Sequence, residues 1–209
     1  MRLPSPPLLL ITDRQQARGD ICDIAEAAFA AGCRWLSLRE KDLPEAQQGE
    51  LLRELLDRAQ PFQAKVTLHG NPALAQQARA HGVHLSAGGD AAAARRVLGK
   101  DALIGLSVHG VEEARAADDK LVDYVIAGPV FETRSKPGYG PALGPEGLAL
   151  IARACPAPVV AIGGIDPQNP ADCRLAGAAG IAVMGAVMRA TNPAEMVAQL
   201  IGALTAPLT

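Results

Sequence analysis

The chain has 209 residues, with 20 basic and 22 acidic side chains, a formal charge of −2 and 49 % hydrophobic residues. That charge balance argues against a nucleic-acid binder, which usually shows a basic face or stripe, and aromatic residues at 3 % leave little for base stacking. The apolar fraction excludes disorder as the main state, and the length allows one large domain or two small ones.

The start, from Met1-Arg2-Leu3-Pro4 to Leu8-Leu9-Leu10-Ile11, superficially resembles a signal peptide. Its apolar stretch is short and runs into Thr12-Asp13-Arg14 with no small-residue cleavage site, so it reads as a first strand. From there, short apolar runs alternate with alanine-rich helical stretches. Strands are expected over 8–12, 35–39, 65–69, 83–86, 104–108, 124–127, 159–162 and 181–184. Helices are expected near 20–31, 44–59, 72–80, 90–98, 111–117, 145–154, 167–176 and 193–204. Pro44, Pro72 and Pro193 fall near first turns, where the missing N–H costs nothing. Gly32, Gly82, Gly99, Gly177 and Gly180 sit where helices stop or strands resume.

Strands separated by helices imply parallel pairing and right-handed crossovers. Eight such units most simply close into a compact (β/α)8 TIM barrel of the α/β class, one domain over 1–209. An open doubly wound sheet is the alternative, weakened because no G-x-G-x-x-G follows the first strand. No apolar run approaches membrane-spanning length. Cys22, Cys33, Cys155 and Cys173 lack CxxC or metal-like spacing, which points to reduced thiols in a cytoplasmic protein. The one long connection, 128–144, is rich in glycine and proline and carries Arg134 and Lys136, a composition that permits a binding loop or lid.

In such barrels the active site lies at the C-terminal ends of the strands. Gly163 and Gly164 after strand seven and Gly185 after Met184 of strand eight would let backbone N–H groups approach a phosphate, although tight turns alone would also explain them. Arg39 and Lys41 at the end of strand two suit an anionic substrate. The alternative is surface ion pairs with Glu40, Asp42 or Glu45. His109 ends strand five and could move a proton between substrate atoms, or be a histidine bonded to a backbone group. His84 reads as core or supporting, His81 as solvated, and His69 as ambiguous. The ends of strands three and four read His69-Gly70-Asn71 and Ser86-Ala87-Gly88-Gly89, with Asp90 the nearest acid and best placed to cap the next helix. A tightly bound metal is therefore not expected.

The ordered set Leu38-Arg39-Glu40-Lys41, Gly82-Val83-His84-Leu85, Gly105-Leu106-Ser107-Val108-His109, Gly128-Pro129-Val130-Phe131-Glu132-Thr133, Ala161-Ile162-Gly163-Gly164-Ile165 and Gly180-Ile181-Ala182-Val183-Met184 resembles the superfamily of thiamine phosphate synthase and the thiazole tautomerase TenI. The match covers nearly the whole chain. The resemblance implies a (β/α)8 barrel acting on a thiazole phosphate. The synthase joins hydroxymethylpyrimidine diphosphate to a thiazole phosphate with magnesium's help, releasing pyrophosphate. The tautomerase shifts a proton and aromatises a thiazole carboxylate phosphate.

Synthases carry Asn-Asp-Asp after strand three and Gln-Asp/Glu-Asp after strand four, and these metal-holding acids are missing here. Glu132 also looks like the tautomerase version, whereas Lys41 and Ser135-Lys136-Pro137-Gly138 look synthase-like. The sequence therefore puts the isomerase reading first, with no cofactor. His109 would be the acid/base. Arg39, Lys41, His69, Ser107, Thr133 and Lys136 would face the substrate, and Gly163, Gly164, Met184 and Gly185 would hold its phosphate. The synthase, a transferase needing Mg²⁺, is the first alternative and a non-catalytic thiazole phosphate binder the second. The expected partner is a small-molecule thiazole phosphate, with no nucleic acid and no membrane, and a homo-oligomer is left open.

Overall fold

The eight expected strands are all present, and they close. In the computed structural model, which describes residues 3–133 and 141–207, strands β1 (Leu8–Ile11), β2 (Trp35–Leu38), β3 (Lys65–His69), β4 (Gly82–Leu85), β5 (Leu103–Val108), β6 (Tyr124–Ala127), β7 (Val159–Ile162) and β8 (Gly180–Val183) pair in parallel in that order. β8 pairs back onto β1, with Leu9 opposite Ala182. The chain is thus a (β/α)8 barrel.

The helices are α1 (Ile21–Ala30), α2 (Glu45–Ala59), α3 (Pro72–Gln77), α4 (Ala91–Leu98), α5 (Val111–Arg115), α6 (Gly144–Ala154), α7 (Pro170–Leu175), α8 (Gly185–Met188) and α9 (Pro193–Thr205). Side-chain caps start several of them. Asp20 accepts from the N–H of Cys22 and Asp23, Asn71 from Ala73 and Leu74, Asp90 from Ala93, and Asn192 from Glu195. Each cap satisfies N–H groups that the first turn leaves unpaired. Two expectations need correction. Pro44 precedes α2 instead of lying in its first turn. One short helix, α8, lies between β8 and α9 where none was expected. Its four residues are too few to show a helical period.

Strand alternation divides the core in two. Leu8, Leu10, Leu36, Leu38, Val66, Leu68, Val125 and Ile181 face outward and pack with the helices. Leu9, Ile11, Trp35, Tyr124, Ile126, Val160 and Ala182 face into the barrel. Buried Ser37, Thr67 and His84 sit at the alternate positions of β2, β3 and β4, so the interior is apolar on one arc and polar on the other. Gly105 makes room for this filling. A Cβ there would lie 2.1 Å from Cζ of Tyr124, whose ring crosses the barrel and meets Trp35 edge-on at 4.6 Å. Both small strand side chains and large rings are needed to fill a barrel of this size.

Candidate functional site

A cavity of about 470 Å³ opens at the C-terminal ends of the strands. That is ample for a drug-sized ligand. Its floor comes from inward positions. Ile11, Ile126, Ile162 and Ala182 form the apolar side, and His69, His84 and Ser107 the polar side. The rim comes from loops.

The rim at β2 starts one residue earlier than the sequence suggested. β2 stops at Leu38, so Arg39, Glu40 and Lys41 belong to the following loop. They do not pair with one another or with nearby acids. Glu40 is turned inward and only 3 % exposed. Its carboxylate accepts the backbone N–H of Arg14 at 3.1 and 3.2 Å. Thr12 accepts the Arg39 N–H at 2.9 Å and hydrogen-bonds Glu40. Burial raises the Glu40 carboxyl above its usual range, against the pull of these donors. Asp42 instead takes Arg14 at 2.5 Å, and Glu45 takes the Asn71 amide. Arg39 lines the cavity, and its guanidinium makes no ion pair among the described residues. Lys41 does not line the cavity. Its ammonium stands 3.5 Å from Ser86 Oγ. Burial first, and the charge of Arg39 second, hold Lys41 below the usual lysine range.

On the polar wall, His84 takes the core or supporting place expected of it and also lines the cavity. It is 2 % exposed, its Nε2 lies 2.9 Å from Ser107 Oγ, and its ring is 4.9 Å from that of His69. Burial, with a smaller contribution from Lys41, pushes its pKa down to about 3, so at neutral pH the imidazole carries no charge. His109 follows β5 directly, is exposed and lines the cavity, while its backbone N–H donates to Glu113 at 2.7 Å. His81, expected to be solvated, is half-buried and accepts the Val66 N–H through Nδ1 at 3.0 Å.

Across the mouth, Gly163 and Gly164 have φ of +101° and +63°. A Cβ on Gly163 would lie 2.6 Å from Pro129 Cα, and one on Gly164 2.4 Å from the Glu132 carbonyl oxygen. Packing against the β6 loop therefore requires both glycines whether or not a ligand binds. The turn also leaves donors available, because among the described residues the N–H groups of Gly164 and Gly185 make no hydrogen bond. Arg189, which no sequence signal singled out, joins this rim from the end of α8 and hydrogen-bonds Gln16. Glu132 and Asp166 also line this side.

Of the expected site residues, the cavity gathers Arg39, His69, Ser107, His109, Thr133, Gly163, Gly164, Met184 and Gly185. Lys41 stands beside it, and Lys136 lies outside the described residues. Magnesium, implied by the resemblance for a synthase, needs rigidly held carboxylates. Among the described residues no three His, Cys, Asp or Glu side chains form a metal-holding group, and the stretch 134–140 contains none of those residue types. Asp90, the nearest acid after β4, and Asn71 after β3 are spent on helix caps. The residues at these strand ends do not fit a divalent cation.

Comparisons with known proteins agree with this architecture. A family model described as thiamine monophosphate synthase matches residues 8–187. A thiamine-phosphate synthase of Anaeromyxobacter dehalogenans is 42 % identical over 185 residues, covering 87 % of this chain and 82 % of the relative. One from Roseiflexus sp. is 38 % identical over 188 residues, covering 88 % and 79 %. The solved thiamine phosphate pyrophosphorylase of Pyrococcus furiosus superposes with a TM-score of 0.83 at 30 % identity, covering 94 % of each chain.

Proposed function

Because the chain belongs to the thiamine monophosphate synthase family, and is thereby an enzyme of thiamine biosynthesis, we propose that it couples a pyrimidine diphosphate to a thiazole phosphate. In this reaction the thiazole nitrogen bonds the pyrimidine methylene carbon. The carbon–oxygen bond to the diphosphate breaks, and pyrophosphate leaves with the electron pair. One observation carries the reading. The mouth carries anion-binding chemistry on two rims, the Arg39 guanidinium on one and the Gly164 and Gly185 amides with Arg189 on the other. Two phosphate-bearing reactants need two such seats, with their reacting atoms over the floor between them.

In this account the glycine rim holds the thiazole phosphate, because backbone N–H groups and a guanidinium suit a terminal phosphate. Arg39 takes the diphosphate. Ile11, Ile126 and Ile162 exclude water from the cleft, and Ser107, braced by His84, borders the reacting atoms. No step is routed through a metal. Incubation with hydroxymethylpyrimidine diphosphate and thiazole phosphate should give thiamine phosphate and pyrophosphate in equal amounts, followed by mass spectrometry. Recovery of both reactants unchanged would remove the coupling reading.

A second reading is favoured by a specific observation, the lack among the described residues of a metal-holding group after β3 and β4, beside a cavity-lining His109. It is the tautomerase, which the sequence placed first. Relatives named as synthases at 38–42 % identity move it to second place. Its mark would be aromatisation of the thiazole carboxylate phosphate, lost in His109→Asn by about 10²–10⁴-fold, the usual contribution of a positioned acid/base.

A further inference from the structure

A second cavity, of about 700 Å³, opens at the opposite end of the barrel from the mouth, where the strands begin. Lys65 and Leu103 start β3 and β5, and Arg34 and His81 stand just before β2 and β4. We infer that this cavity is a second ligand site, for a small phosphomonoester with an apolar body. The inference goes beyond the coupling reading and does not depend on it.

Three donor groups line the phosphate end. Arg34 is fixed in place, its Nη1 donating to the carbonyls of Phe29 and Cys33 at 2.8 and 2.9 Å. Its other N–H groups have no partner among the described residues, and it makes no ion pair there. Lys65 lies beside it, since the Lys65 backbone N–H donates to the Arg34 carbonyl at 2.9 Å. The Lys65 ammonium has no partner among the described residues. His81 Nδ1 accepts the Val66 N–H at 3.0 Å, which places the neutral ring's proton on Nε2 and makes that nitrogen a donor. Burial first, and the charge of Lys65 second, hold this ring below the usual histidine range.

Asp101, the one acid lining the cavity among the described residues, pairs with none of the three. A phosphomonoester brings nearly two negative charges and three terminal oxygens. These match two permanent cations and three donor groups, and a guanidinium can take two of the oxygens at once. A carboxylate, with two oxygens and one charge, would leave part of the set unused.

The rest of the wall is apolar and already in place. Pro4, Phe62 and Leu98 are half-buried there, and the Phe62 ring rests 6.1 Å from that of Phe29. Backbone bonds fix the strand starts, His81 N–H to the Val66 carbonyl at 2.8 Å and Leu103 N–H to the His81 carbonyl at 2.9 Å. A preformed cavity spares a ligand the cost of ordering it. Gln63 in its wall and Arg79 in the turn before β4, with φ of +53° and +58°, are the two non-glycine residues in the left-handed region among the described residues. Strained positions of this kind gather at ligand sites.

The four histidines report on the two ends separately, because His69, His84 and His109 line the mouth and His81 lines this cavity. Inorganic phosphate and phenyl phosphate are each titrated into the full chain while the imidazole proton signals are followed by NMR, with His81→Gln assigning the His81 signal. Both probes should shift His81 saturably and move its titration to higher pH, because a bound anion favours the imidazolium. Phenyl phosphate should bind about tenfold tighter through its ring. Lys65→Gln should weaken both by about tenfold or more, the size of one charge-assisted hydrogen bond, and Lys65→Arg should keep most of the affinity. Lys65 is exposed, so these variants keep the fold, which a thermal melt verifies. Shifts at His69 or His109 that leave His81 unmoved, no response at any histidine, a His81 response untouched by Lys65→Gln, or phenyl phosphate binding no tighter than phosphate would each overturn the proposal. A chain that shows the His81 response but couples no substrates loses the coupling reading alone.

Discussion

The barrel interior has two halves built by one rule. Along β6, β7, β8 and β1 the inward positions read Ile126, Val160, Ile162, Ala182, Leu9 and Ile11. Along β2 to β5 they read, after Trp35 at the start of β2, Ser37, Thr67, His69, His84, Gly105 and Ser107. The same alternation sets both. The apolar arc packs without hydrogen bonds, and its rim carries glycines whose amides stay available. The polar arc must satisfy buried groups, so it carries the hydrogen bonds and, above it, the cations. The difference shows that one alternation, by residue choice alone, can give a closed sheet an apolar and a polar arc, the division on which the proposed coupling relies.

The strongest way to break this division is at Gly105, where the Tyr124 ring reaches across. Gly105→Ala should cost about 3 kcal/mol, the upper end for overpacking a tight core, read as a lower urea midpoint. An unchanged midpoint would mean the two arcs do not meet there.

Arg39→Gln comes next. It removes the cavity-facing cation of the polar rim, so coupling turnover should fall by about 10–100-fold with the fold intact. If turnover is kept, the diphosphate does not sit on this rim.

His84 tests the polar arc through pH. Its folded pKa of about 3 lies below the ordinary 6.5, so the unfolded chain binds more protons between these values. The stabilisation is complete above pH 6.5 and drains away as pH falls toward 3. The slope should reach up to about 1.4 kcal/mol per pH unit. In His84→Gln that limb should flatten, and parallel curves for the two proteins would show that His84 is not held neutral.

The smallest effect expected is at Glu40→Gln. Its loop bonds to Arg14 and Thr12 are weakened, with a loss of about 1 kcal/mol and a modest fall in pyrophosphate affinity as Arg39 loosens. A thermal melt and a calorimetric titration with pyrophosphate measure both.

What the sequence disclosed follows the physics of each feature. Strand cores were legible because runs such as Leu8-Leu9-Leu10-Ile11 are buried on both faces, and β3, β6 and β7 fall where expected. Strand ends were not, since pairing with a neighbour decides where a ladder stops; β2 therefore ends before Arg39. The glycine pair was visible and the need for it was not, because Pro129 and Glu132 approach it from another loop. Arg189 and Gln16 meet across 173 positions of chain, a distance at which no periodicity informs. Glu40 seemed an ion-pair partner for its neighbours, but its true partner, the Arg14 N–H, lies 26 residues earlier. The family emerged from the order of short segments, whereas the choice between isomerase and transferase turned on acidic motifs after β3 and β4 that this chain lacks.

The central claim is that the two rims take different anions. A crystal structure of the chain with thiazole phosphate and pyrophosphate bound together tests it most directly. The account predicts the thiazole phosphate on the Gly164 and Gly185 amides, the pyrophosphate on Arg39, and the apolar arc beneath the ring. Both anions on one rim, or their positions exchanged, would contradict it.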